Sequence, residues 1–115
     1  MKKILITATL ATAVFTTALF AQGHINVPQI VKDAFSKKFP QATHVTWEKE
    51  KGNYEANWGG KEGEDNSVLY TPSGKFVEAG EAIAVNQLPA LAINYVKSHF
   101  KGASITEAMH VTSAN

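Results

Sequence analysis

Residues 43–58, Thr-His-Val-Thr-Trp-Glu-Lys-Glu-Lys-Gly-Asn-Tyr-Glu-Ala-Asn-Trp, alternate apolar and polar side chains on either side of Lys51-Gly52. Period-two alternation around a glycine-bearing pair reads as two antiparallel strands, 43–50 and 53–58, joined by a tight turn. Pairing Val45 with Trp58, Trp47 with Ala56 and Lys49 with Tyr54 places every bulky apolar group on one face. A three-residue loop with a glycine bulge would set Trp47 against Glu55 instead, so the pattern favours the even loop. The same register puts Glu48 directly across from Glu55, and opposed like charges weaken a hairpin by about a few tenths of a kcal/mol.

Upstream, apolar residues at 27, 30, 31, 34, 35 and 39 trace one stripe of a 3.6-residue period that Pro40 stops. This is a first helix, with Asn26 as the expected N-cap and Pro28 in its first turn, where the missing N–H costs nothing. Downstream, Gly59 to Asn66 carries three glycines and four charges and reads as a surface loop. A third strand then begins at Val68–Tyr70. Thr71-Pro72-Ser73-Gly74-Lys75 is a turn into a fourth strand from Phe76 to about Ile83. A second helix starts at Leu88-Pro89 with an apolar stripe at 88, 91, 92, 95, 96 and 100, ends at Gly102, and leads into a fifth strand over 104–112.

Val27-Pro28 and Leu88-Pro89 stand 61 residues apart, and Phe39 and Phe100, then Ala42 and Ala103, repeat that offset. The chain therefore reads as a duplicated unit of helix, stop and strand. The first copy covers about 27–87 and a partial second copy about 88–115, so a complete second copy would extend about 34 residues past Asn115. On this reading the sequence is one and a half units, with an unpaired final strand. The expected fold is α+β, an antiparallel four- to five-stranded sheet with two helices packed on one face, in the order α-β-β-β-β-α-β.

The pattern of Val27-Pro28, the apolar run to Phe35, Phe39-Pro40, Ala42, Val45, Trp47-Glu48, Tyr54-Glu55-Ala56, Tyr70, Gly74 and Leu88-Pro89 resembles the PepSY-like domains, the β-lactamase-inhibitor-like secreted proteins of Gram-negative bacteria. The resemblance runs from about Val27 to His110 and rests on hydrophobic spacing rather than a chemical signature. It implies a helix followed by a four-stranded antiparallel sheet, usually in two copies, and an inhibitor-like or protein-binding role. This sequence departs from it by lacking most of the second copy.

The first 21 residues read as an export signal, with Lys2 and Lys3 ahead of an apolar run from Ile4 to Phe20 and small Ala21 before Gln22. Cleavage is expected after Ala21, with Ala18 as the alternative, leaving a single domain over 22–115. Five threonines in the run make it too short and polar for a membrane anchor. Nine of the eleven basic residues but all ten acidic ones lie beyond the signal, so the mature net charge is −1 rather than +1. The reading is a periplasmic or secreted protein without a stable membrane span.

No arginine is present, which removes the residue best suited to bidentate phosphate and guanine contacts and argues against nucleic-acid binding. With no cysteine there is no disulfide, thiolate metal site or thiol nucleophile. No G-x-S-x-G elbow or H-E-x-x-H motif occurs among the serines and histidines. The sequence therefore calls for no enzyme activity, no cofactor and no metal. His44 with His110, at the two ends of the predicted strand set, and the loop acids Glu62, Glu64 and Asp65 are the places where a weak metal site is to be looked for.

Trp47, Tyr54 and Trp58 lie on the hairpin face that the helices must cover, and are read as core rather than as a binding platform. The opposite face carries His44, Thr46, Glu48, Glu50, Asn53, Glu55 and Asn57, and is the candidate interaction face for a protein partner. The alternative is a periplasmic peptide- or ligand-binding or structural envelope protein that uses an exposed sheet edge, with edge-mediated oligomers.

Overall fold

The computed structural model describes residues 2–9 and 24–115. In chain order the elements are β1 (Lys2–Thr9), α1 (Gln29–Lys38), β2 (Thr46–Glu50), β3 (Asn53–Trp58), β4 (Asn66–Tyr70), β5 (Phe76–Ile83), a 3-10 turn (Val85–Gln87), α2 (Ala90–His99) and β6 (Ser104–Ser113). The sheet is antiparallel throughout, in the order β1-β6-β5-β4-β3-β2. From β2 to β6 it is the expected α+β arrangement, five strands with two helices on one face. The sixth strand, β1, falls in the stretch read as a leader, and the expected cleavage junction after Ala21 lies outside the described residues.

The hairpin forms in the register that its hydrophobic pattern dictates: Trp47 pairs with Ala56, Glu48 with Glu55 and Lys49 with Tyr54. Lys51 and Gly52 both have positive φ, 48° and 83°. Two successive left-handed residues give the turn whose twist matches the flanking strands, and the second is affordable because it is glycine. The first strand is shorter than the alternation suggested. His44 adopts φ 55° and breaks the extended run, so β2 begins at Thr46. β4 begins two residues earlier than expected, at Asn66, whose side-chain amide donates to the Trp58 carbonyl at 3.3 Å.

At the 61-residue offset the two helices begin and end with the same backbone geometry. Pro28 and Pro89 precede their helices with φ and ψ of −55° and 142° against −56° and 140°. Phe39 and Phe100 close them with N–H donation to Phe35 and Val96 at 2.8 and 2.9 Å, and Ala42 and Ala103 donate to the Phe39 and Phe100 carbonyls at 3.1 and 3.0 Å. Asn26 is not a cap: α1 starts behind Pro28, whose carbonyl accepts from Val31 and Lys32, and no side chain caps it.

The repeat does not extend to packing. Under α1, Phe35 stands edge-on to Trp47 and Trp58, with ring centroids 5.3 and 5.1 Å apart, and Phe39 lies 4.8 Å from Trp58. Val27, Val31, Phe35, Tyr54, Ala56, Val68 and Tyr70 form the core around them, and Val31 and Val68 are fully buried. Under α2 the stripe read from the spacing splits. Leu88 and Val96 are buried, while Leu91, Tyr95 and Phe100 are 85%, 57% and 44% exposed. At the 61-residue offset the buried Ala108 stands where Trp47 stands in the first unit, while Ile30, the counterpart of Leu91, is itself 54% exposed.

Tyr70 is buried, and its hydroxyl has no hydrogen-bond partner among the described residues. Burial pushes its phenol pKa up. An unpaired buried hydroxyl costs free energy, so Tyr70→Phe is expected to stabilise the domain by about 1 kcal/mol. Urea unfolding checks this, and a variant less stable than the parent would show that the hydroxyl is satisfied.

Candidate functional site

Directly opposed residues of antiparallel strands share a face, so the register traces two rows across the side of the sheet turned away from α1. One runs Thr46, Asn57, Ser67, Gly80, Val111, and the other Glu48, Glu55, Leu69, Glu78, Ser113. Glu50 and Asn53, which pair with each other, flank the second row. Thr46, Glu48, Glu50, Asn53, Glu55 and Asn57 thus occupy one face. His44, exposed on its left-handed bend, precedes the paired register.

The face is wider and less uniformly polar than the hairpin alone suggests. Leu69 is buried between Glu55 and Glu78 in the row, and Ala82 pairs with Met109 beside Gly80 and Val111. Gly80 is a fitted position. A Cβ there would stand 2.9 Å from Met109 Cε and 3.0 Å from Ser67 Oγ. These residues escape a hairpin-based reading because an irregularity between Leu69 and Tyr70 shifts the β4–β5 register, so parity cannot be carried from one strand to the next.

Neither row contains a basic residue. Glu55 feels the consequence most. Its carboxyl pKa is raised from 4.5 to about 7, first by burial, then by the charges of Glu50, Glu48 and Glu78, and by a hydrogen bond with Glu50. A half-buried carboxylate among three others holds its proton because ionisation adds a fourth like charge where water solvates it poorly. The face can therefore take up or release a proton near neutrality, and it presents acceptors to any donor brought against it.

The remaining candidates are dispersed. β2 and β6 are separated by β3, β4 and β5, so His44 and His110 do not come together. His110 instead stands 3.7 Å from Glu81 on the helix side, beside a cavity of about 240 Å³ lined in part by Phe39, Trp58 and Thr112. Glu62, Glu64 and Asp65 lie in the loop ahead of β4, where the Asp65 carboxylate closes over Gly60. Among the described residues no three His, Asp or Glu side chains group as a metal site. Trp47, Tyr54 and Trp58 belong to or pack against the core. Among the described residues no helix is long and apolar enough to cross a membrane.

The sequence matches no family model and no curated protein sequence. Solved structures share its fold. A protein from Bacteroides eggerthii described as periplasmic superposes with TM-score 0.67 at 22% identity, covering 79% of this chain and 66% of its own. A BLIP-like protein from Bacteroides fragilis gives 0.59 at 20%, covering 81% and 67%, and a DUF2874 family protein from Bacteroides ovatus 0.62 at 22%, covering 79% and 65%. The chain thus spans about two thirds of the length of the structures it resembles.

Proposed function

We propose that this chain is an exported, non-enzymatic binding module of the PepSY-like, β-lactamase-inhibitor-like kind, and that it engages a protein partner through the acidic open face of its sheet. The leader-like residues 1–21 and the shared fold with a BLIP-like and a periplasmic protein support export to the periplasm or beyond. The observation that carries the binding reading is the row Glu48, Glu55, Leu69, Glu78, where carboxylates surround one buried leucine with no basic residue to neutralise them. A partner bearing lysine or arginine relieves the repulsion.

Charge reversal tests this. Glu48→Lys combined with Glu55→Lys is expected to abolish capture of the partner from a periplasmic extract while circular dichroism stays unchanged, and capture by the parent should weaken between about 50 and 300 mM salt. Identical capture by parent and variant would remove the sheet face from consideration.

A further inference from the structure

On the helix side of the sheet one cross-strand line is polar. Trp58 of β3 is opposite Asn66 of β4, Asn66 opposite Glu81 of β5, and Glu81 opposite His110 of β6, so the four run in register across four strands. The neighbouring line on the same side is Ala56, Val68, Ala79 and Thr112, and its first two members belong to the core. Beyond Trp58 the polar line borders a cavity of about 240 Å³. Phe39 and Trp58, with ring centroids 4.8 Å apart, form an aromatic wall, and Asn66, Glu81, His110 and Thr112 line the rest with the strand backbone.

Most of what these polar groups offer a ligand is acceptor capacity. The Asn66 amide nitrogen already donates to the Trp58 carbonyl at 3.3 Å, which leaves its Oδ1 as an acceptor. Glu81 supplies a carboxylate, 3.7 Å from His110 Nδ1, and Thr112 a hydroxyl. No lysine lines the cavity. Acceptors and one carboxylate facing two aromatic rings are complementary to a cation that carries a ring of its own. Trp58 and Glu81 stand two strands apart, about 10 Å between their backbones, which a ring with a short arm bridges. Cavities for drug-sized ligands run from about 300 Å³ upwards, so the occupant is smaller than that class.

We propose that this cleft is a second binding site, for a small primary ammonium compound with an aromatic ring on a short arm. The ring stacks on the Phe39–Trp58 wall, and the ammonium donates to Glu81 and Asn66. The cleft lies on the side of the sheet opposite the acidic face, so it stands or falls separately from the partner reading. Its lining residues all fall between 39 and 112, so it does not require removal of the leader.

The probes are phenethylamine, 2-phenylethanol and phenylacetate, which share a ring and differ in charge, with backbone, side-chain amide and indole N–H resonances followed by heteronuclear NMR. Phenethylamine is expected to bind with a dissociation constant of about 1 mM or tighter and to shift the Trp58 indole and Asn66 amide signals. The neutral alcohol should bind about tenfold more weakly and phenylacetate not at all. Glu81→Gln, at an exposed position, should weaken phenethylamine about tenfold and leave the alcohol unchanged. The doubly substituted Glu48→Lys, Glu55→Lys protein should bind phenethylamine as the parent does. Equal binding of amine and alcohol, indifference to Glu81→Gln, or shifts confined to the Glu48 and Glu55 face would overturn the site. Binding of Nα-acetyl-lysine amide as tightly as phenethylamine would overturn the aromatic ligand and assign the cleft to a lysine side chain.

Discussion

Phe35→Ala is expected to destabilise the domain by about 3–5 kcal/mol, the usual cost of deleting a buried aromatic ring whose surroundings relax only in part. Phe35 stands against both tryptophans of the hairpin as well as Phe39, with ring centroids 5.1 to 5.4 Å apart. Its loss removes apolar burial and three ring contacts at once, and these are not independent. In a domain of this size that amounts to a large share of total stability, so the melting temperature should fall by well over 10 °C. The corresponding change in the second helix, Val96→Ala, removes fewer atoms from a buried position and should cost about 1–3 kcal/mol. Equal losses would mean that α2 is packed as α1 is.

Glu55→Gln is expected to stabilise the protein by about 1.5–2 kcal/mol at pH 8 and to change it little at pH 4. The carboxyl group titrates near 4.5 when unfolded and near 7 in the fold. A raised carboxyl pKa means that the folded state binds the proton more tightly than the unfolded state. The favourable contribution is complete below pH 4.5 and is lost as pH rises through about 7. The full shift corresponds to about 3 kcal/mol, and solvent screening of a half-buried group roughly halves it. The parent should therefore lose stability between pH 4.5 and 7, and the glutamine variant should not show that loss. Parallel pH profiles for the two proteins would show that Glu55 ionises normally. The same titration predicts tighter partner capture above pH 7, where the face carries its full negative charge.

The sites divide in the same way as the fold between what one segment encodes and what several must assemble. Six of the seven hairpin residues named from alternation share the open face, because register within one tight hairpin is local and its turn is set by two adjacent residues. Leu69, Glu78 and Val111 were not legible, since their place in the rows depends on pairing between strands far apart in sequence and on the β4–β5 irregularity. His44 was misplaced for a similar reason. Nothing in Thr43-His44-Val45 announces the left-handed bend that ends the strand.

By itself the sequence determined the element order from the first helix to the last strand, the hairpin register and the first helix with its aromatic core, all of which follow from periodicity, proline and glycine acting over short spans. Only the tertiary structure decided which half of the repeat is packed. The two helices carry the same stripe, start behind the same proline and end on the same phenylalanine. α1 sets Phe35 against two tryptophans of the hairpin, whereas α2 leaves Leu91, Tyr95 and Phe100 open, and burial depends on both sides of a contact.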